Sequence, residues 1–203
     1  MTWTRVAARI DEAPRKPPIL AALQGFAAGD SATGRSRLPD VRRRKALMRD
    51  KRFVAAHRGG PLTLTEHRLL AAWAADCAEH LLPLFERHCS DSRPRLAIEV
   101  GRAWVRGELK TGVAQRAAVA AHAAAREATD MAAVAVARAA GHAVATAHFA
   151  DHSLGPVIYG AKAVEAAGGS ANDEHAWQLT RLPDEVRALV ISALERRRTK
   201  SCT

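Results

Sequence analysis

The stretch HRLLAAWAADCAEHLLPLFE, from His67 to Glu86, decides the fold because it repeats large apolar residues at helical spacing. On an α-helix, one side collects the residues at offsets of three, four and seven, which are Leu70, Trp73, Cys77, Leu81 and Leu84. His80 projects into this same apolar side, and Asp76 lies on its margin one turn earlier. The stretch therefore predicts a central buried helix that carries an Asp–His pair in its core.

Further helices are predicted on both sides of this one, because apolar residues recur at three- and four-residue spacing between Gly, Pro and capping residues. No segment keeps the two-residue period of a β-strand for long enough to form one. The predicted helices, with approximate bounds, are 40–56, 67–86, one from 94, 111–128, 130–152, 157–167, one from 172 and 184–198. The chain is therefore predicted to be all-α, a single bundle of about eight helices.

The first 39 residues differ in composition and predict a flexible, basic extension. Prolines interrupt it early and glycines loosen it later, at Pro14, Pro17, Pro18, Gly29 and Gly34. From residue 40 onward, helical segments follow one another with short connections. The domain organisation is thus expected to be an extension over residues 1–39 and one all-helical domain over residues 40–203.

The net charge of +10 is concentrated at the beginning of the chain. Residues 1–59 contain 14 Lys and Arg against 5 Asp and Glu, whereas residues 60–203 contain 17 against 16. A nucleic-acid groove needs its positive charge on the folded surface. We therefore do not expect nucleic acid as a partner, although the basic residues 42–52 keep this alternative open.

No segment has the pattern of a membrane anchor or of a secretion signal. The most apolar window, residues 131–150, contains Arg138, and a central Arg costs roughly 3 kcal/mol on membrane-insertion scales. No charged and then apolar leader follows Met1. The cysteines form no CxxC pair, and Cys77 faces the predicted core. These features predict a cytoplasmic protein that does not bind a membrane.

The motif HFADH, residues 148–152, is the strongest candidate for chemistry. On one helix, His148 and His152 are four residues apart and point the same way, as paired metal ligands do. His80 and Asp76 on the central helix could complete a zinc or iron site, with Asp76 or Asp151 as a base. The motif lacks the Glu of HExxH, so we favour a hydrogen-bonded structural network that holds no metal or other cofactor. A metal-dependent helical-bundle hydrolase using His80, His148 and His152 remains the alternative.

Other catalytic arrangements are weaker. Cys77 and His80 are three residues apart on the predicted helix, but no Gly-rich turn nearby offers an oxyanion hole. The sequence contains no Gly-rich loop of the kinds that bind nucleotide phosphates. We therefore predict that the protein is not an enzyme.

Six blocks of the sequence occur in an order that is typical of one known family. The blocks are RFVAAHRGG (52–60), LTEHRLLAAWAADCAEHLLPLFE (64–86), RPRLAIEVGRAWVRGE (93–108), AAHAAAREA (120–128), ARAAGHAVATAHFADHSLG (137–155) and LPDEVRALV (182–190). Together they resemble the all-helical immunity proteins of bacterial polymorphic toxin systems, in the class numbered immunity family five. The resemblance covers nearly all of the chain after residue 52.

The resemblance implies a small cytoplasmic protein that binds a cognate toxin domain encoded beside it and neutralises that toxin without catalysis. It carries over a set of family-pattern residues, most of which are expected in the core: Trp73, Asp76, Cys77, His80, Trp104, His142, His148, Asp151 and His152. Toxin contacts are expected from exposed Arg and aromatic side chains on rigid helices, since these dominate binding energy at interfaces. The candidates are Arg95, Arg102, Arg106 and Tyr159.

Overall fold

A computed structural model of the chain describes residues 50–200, with side chains to residue 199. Over this range the chain forms seven α-helices: α1 Leu64–Glu86, α2 Arg93–Val105, α3 Thr111–Glu127, α4 Met131–Ala145, α5 Gly155–Ala166, α6 Ala171–Thr180 and α7 Asp184–Lys200. Three short 3-10 helices join them, at Lys51–Phe53, Ala56–Arg58 and Ala150–Leu154. Within residues 50–200 the only β-type pairing is one isolated bridge between Ala55 and Leu62. The predicted all-α class is confirmed.

The predicted count of about eight helices is slightly too high for the described residues. The end of the predicted helix 40–56 forms two 3-10 turns instead, separated by extended backbone at Val54 and Ala55. The second turn stops at Gly59, whose φ of 79° is a left-handed conformation that favours glycine. Residues 40–49 and the predicted extension over residues 1–39 lie outside the described range.

Helix α1 begins with a capping box. The hydroxyl of Thr63 accepts a hydrogen bond from the Glu66 amide, while the Glu66 carboxylate accepts one from the Thr63 amide. The helix then buries most of its large apolar residues and alanines, although Leu84 of the predicted core side is only partly buried, and Trp73 is only 1% exposed. The indole Nε1 of Trp73 donates to the Gln178 carbonyl of α6 at 2.9 Å. This bond and the burial around it attach α6 to the central helix.

Helix α4 lies in the middle of the bundle and packs against α1, α2, α3 and α5. Eight of its fifteen residues are Ala, and all of these are buried. Small side chains let helix backbones approach closely, and Gly101 of α2 faces the backbone of Val144 in α4. In the described part of the chain, no helix combines the length and the apolar character needed to cross a bilayer.

Helix α4 ends at Ala145, seven residues before the predicted end at His152. The carbonyl of Thr146 is 2.6 Å from Nε2 of His67 in α1. The imidazole therefore contacts this carbonyl where, in a longer helix, a backbone amide would donate to it. Phe149 is then extended, with φ −147° and ψ 115°, and Ala150–Leu154 forms a 3-10 helix. The HFADH motif therefore does not lie on one α-helix.

Candidate functional site

Three imidazoles and a phenol meet where α3, α4 and α5 come together. His142 of α4 lies between His122 of α3, at a ring-centroid distance of 5.2 Å, and Tyr159 of α5, at 5.3 Å with nearly parallel planes. The Nδ1 atom of His142 is 3.1 Å from Nδ1 of His152 in the third 3-10 helix. His148 is next to His152, at a centroid distance of 5.1 Å. We call His122, His142, His148 and His152 the histidine cluster.

Two glycines make the space for this cluster. A Cβ atom on Gly155 would lie 2.4 Å from Cβ and Cγ of His142, and a Cβ atom on Gly141 would lie 2.6 Å from the His122 ring. Both distances are shorter than real carbon contacts. Glycine is therefore required at these helical positions by close packing, since neither backbone has a left-handed φ.

Burial keeps the central imidazoles neutral at physiological pH. The pKa of His142 is lowered to about 4, first by burial and then by the charges of His152 and His122. The pKa of His122 is also lowered, by burial and then by Arg138 and Arg126. In the Nδ1–Nδ1 contact one imidazole nitrogen donates and the other accepts.

The structure separates the ligands of the predicted metal site. His148 and His152 lie in the cluster, whereas Nδ1 of His80 is 3.1 Å from the Glu174 carboxylate of α6. In residues 50–200 no three His, Cys, Asp or Glu side chains converge closely enough to hold a metal ion. The interpretation of His80, His148 and His152 as one ligand set is therefore wrong.

His80 and Asp76 also do not form the predicted core pair. The His80 side chain is 42% exposed and stacks on Trp177 of α6 at 3.7 Å, while Asp76 is also 42% exposed and pairs with Arg102 of α2. Most alanines of α1 are buried, so the buried face of the helix includes them, and Asp76 and His80 lie on the side that faces solvent. A count of large apolar residues alone does not reveal the position of this face.

Glu174 is the polar residue buried beside His80, and sequence reasoning missed it. Its side chain is 3% exposed, and it accepts hydrogen bonds through one oxygen from Gln178 Nε2 at 2.6 Å while the other faces His80. Gly160 of α5 leaves room for this pair, since a Cβ there would lie 2.5 Å from Gln178 Nε2. The signal in the sequence that could have predicted this pair is the four-residue spacing of Glu174 and Gln178, which places both side chains on the same side of a short helix.

The other family-pattern residues occupy structural positions. Cys77 is fully buried, and burial together with the carboxylates of Glu174 and Asp76 raises the pKa of its thiol, which opposes a nucleophilic role. Trp104 is half-buried, and its Nε1 donates to Thr111 Oγ1 at 3.2 Å. Asp151 lines a cleft beside His152.

That cleft has a volume of about 890 Å³. The first 3-10 helix, the histidine cluster, α5 and α7 surround it. Its lining includes Lys51, His142, Tyr159, Arg196 and Arg197. Tyr159, one of the predicted toxin contacts, therefore lies in this cleft.

The three arginines predicted as toxin contacts lie on α2 or at its end, and each has an acidic neighbour. Arg95 pairs with Glu86 at 2.5 Å, and Arg106 pairs with Glu108 at 2.6 Å. Arg102 bridges Asp76 and Glu79 of α1. Their guanidinium groups are at least one-third exposed, so each pair contributes little to stability.

Comparison with protein families identifies the chain. The sequence profile described as Imm-5 like putative immunity protein matches residues 60–185, which is more than half of the 203 residues. The chain belongs to this immunity-protein family. The search of curated proteins and the search of solved structures each found no significant match.

The matched region of this Imm-5 like protein contains all of the histidine cluster and the pair of His80 and Glu174. It stops just after α7 begins, so Arg196 and Arg197 of the cleft lie beyond it. The first 3-10 helix, which supplies Lys51, precedes it. The matched region therefore supplies the scaffold, whereas part of the cleft rim comes from segments outside it.

Proposed function

We propose that this Imm-5 like protein binds a cognate toxin domain, encoded beside it in a bacterial genome, and neutralises it through a non-covalent complex in the cytoplasm. The observation that carries the proposal is the family match over residues 60–185. In this proposal the protein is not an enzyme and uses no cofactor. The protein neutralises the toxin by presenting a rigid surface that binds and blocks it.

The arrangement of polar groups supports a binding role. Imidazoles in the interior contact one another or backbone carbonyls, as His67 contacts the Thr146 carbonyl, and the Cys77 thiol is fully buried. Such networks favour one defined packing of the bundle. A preorganised surface loses little conformational entropy when it associates, which favours tight binding.

Arg95, Arg102, Arg106 and Tyr159 remain the predicted toxin contacts. The arginines already pair with carboxylates of α1 or of the loop after α2, so a toxin would have to replace those partners. Tyr159 is half-buried against His142, which holds its ring in place. A held aromatic ring is the kind of anchor that hot spots use.

Co-expression with the product of the adjacent open reading frame tests the proposal. Cells that express this product alone are expected to stop growing, and cells that also express the full-length protein are expected to grow. The control is the same toxin plasmid with an empty second vector. If the neighbouring product is toxic and remains toxic in the pair, the proposed function is wrong for this locus.

A further inference from the structure

The cleft beside the histidine cluster combines an apolar floor with a cationic rim. Phe53, Leu154 and Ala193 are each no more than 5% exposed and form apolar parts of the lining. Arg196 on α7 has a side chain that is 64% exposed, and Lys51 is also exposed. The cleft therefore offers apolar contact at its base and positive charge at its opening.

The lining of the cleft has more basic than acidic residues. It contains three basic side chains, Lys51, Arg196 and Arg197, and two carboxylates, Asp50 and Asp151. Arg52 already binds Asp50 through several hydrogen bonds, which lower the pKa of Asp50, and Arg196 is 3.5 Å from the same carboxylate. Guanidinium groups bind carboxylates through paired hydrogen bonds, so the rim suits an acidic group.

The size of the cleft suits a short peptide segment. Its volume of about 890 Å³ falls at the upper end of the roughly 300–1,000 Å³ that is usual for ligand sites. An inorganic phosphate would leave the apolar floor uncovered. Residues 1–49 of the chain itself contain 11 Lys and Arg against 4 Asp and Glu, which is the wrong sign of charge for this rim.

We propose that this cleft receives an acidic segment of the toxin, with apolar side chains against Phe53 and Leu154 and carboxylates at Arg196 and Arg197. The inference rests on the proposed function and adds to it the surface and the chemistry of the partner. Of the predicted toxin contacts, it places Tyr159 in the interface and leaves the arginines of α2 outside it.

Charge reversal with a control on the same helical turn tests the cleft. The double variant Arg196→Glu/Arg197→Glu is expected to bind the co-purified toxin domain at least about tenfold more weakly in calorimetry. The control Arg198→Glu changes the next residue, which is exposed but does not line the cleft, and should stay within about twofold of wild type. A competing variant, Arg95→Glu/Arg106→Glu, carries the same charge change on α2 and tests the arginines predicted there as toxin contacts.

Two further measurements show whether the variants fold and whether the toxin domain binds in the cleft itself. Circular dichroism and thermal unfolding should show that all three variants fold, since the altered side chains are exposed. In the wild-type protein, the ring ¹⁵N resonances of His142 should shift when the toxin domain is added, because this imidazole lines the cleft.

The outcomes distinguish the inference from the proposed function. The cleft would be overturned as the binding surface if Arg198→Glu lost as much affinity for the toxin domain as the cleft variant. A larger loss of affinity in the α2 variant than in the cleft variant would overturn it too. Unchanged binding by the cleft variant would also overturn it, while leaving neutralisation by the wild type intact. A wild-type protein that neither binds nor neutralises the toxin would overturn both.

Discussion

Single atoms decide the packing where α4 meets α5. Gly155 sits against the first side-chain carbons of His142, and those atoms cannot swing away because they are fixed to the α4 backbone. His142 in turn holds Tyr159 and contacts His152. The geometry of the whole cluster therefore depends on Gly155 having a hydrogen atom where alanine would have a methyl group.

Gly155→Ala is expected to lower the free energy of unfolding by about 1–3 kcal/mol, because the added methyl group overpacks His142. The matched control is Gly112→Ala in α3, where a Cβ meets nothing within 4 Å. There the change should be neutral or stabilising by about 0.5–1 kcal/mol, since alanine favours helix. Urea unfolding of both variants measures the difference, and equal values would contradict the packing argument.

Trp73→Ala is expected to cost about 3–5 kcal/mol, because it empties a site that is 1% exposed. Trp73→Phe should cost less, since it keeps most of the ring while losing the Nε1 bond to the Gln178 carbonyl. Chemical denaturation gives both values. A loss below about 1 kcal/mol for the alanine variant would mean that Trp73 is not central to the core.

At the scale of residues, the sequence predicted large core side chains well and polar ones poorly. Leu70, Trp73, Cys77 and Leu81 are buried as their spacing indicates. His80 has the same spacing but is exposed, because buried alanines, which carry no strong signal, shift the buried face of α1 away from it. Its partner Glu174 lies on another helix, and a pairing between distant segments leaves no local pattern to find.

Among the elements, most helix bounds were predicted to within three residues, but the end of α4 was not. The side chains of Thr63 and Asp130 cap α1 and α4, and such a cap depends on neighbouring residues alone. The end of α4 depends on His67, which lies far away in the sequence and takes up the Thr146 carbonyl. A long-range contact of this kind cannot be inferred from helical periodicity.

Thr63→Ala is expected to destabilise the protein by about 1 kcal/mol, since it removes the hydroxyl that accepts from the Glu66 amide. Thr65→Ala is the control, as this exposed residue lies inside α1 and has no capping role. Thermal and urea unfolding should show a loss only for Thr63→Ala. Helix propensity alone favours alanine at Thr65, so a comparable loss there would contradict the assignment of the effect to the cap.

For the whole molecule, buried imidazoles couple stability to pH. His142 has a native pKa of about 4, below the ordinary value of 6.5, and burial also lowers the pKa of His67 and of His122. In the unfolded chain these groups gain protons as the pH falls through 6.5, whereas the native protein does not. The stability they contribute is therefore complete above about pH 7 and is lost as the pH falls toward 4.

Urea unfolding at several pH values between 7.5 and 4.5 should reveal this loss as a steady decrease in the free energy of unfolding. His142→Gln is expected to reduce the slope, because a neutral amide cannot bind the proton. A wild-type stability that is constant across this range would contradict the assignment of neutral, buried imidazoles.

The alanine-lined surface of α4 has a consequence for how this bundle tolerates change. Alanine loses no rotamer freedom on folding, and its truncation to glycine removes a single carbon. Along α4, substitutions that enlarge a side chain are therefore more damaging than those that shorten one, since an added methyl group must displace a closely packed neighbour. Sequences that keep this architecture are free to exchange large residues at the periphery but must stay small along the axis.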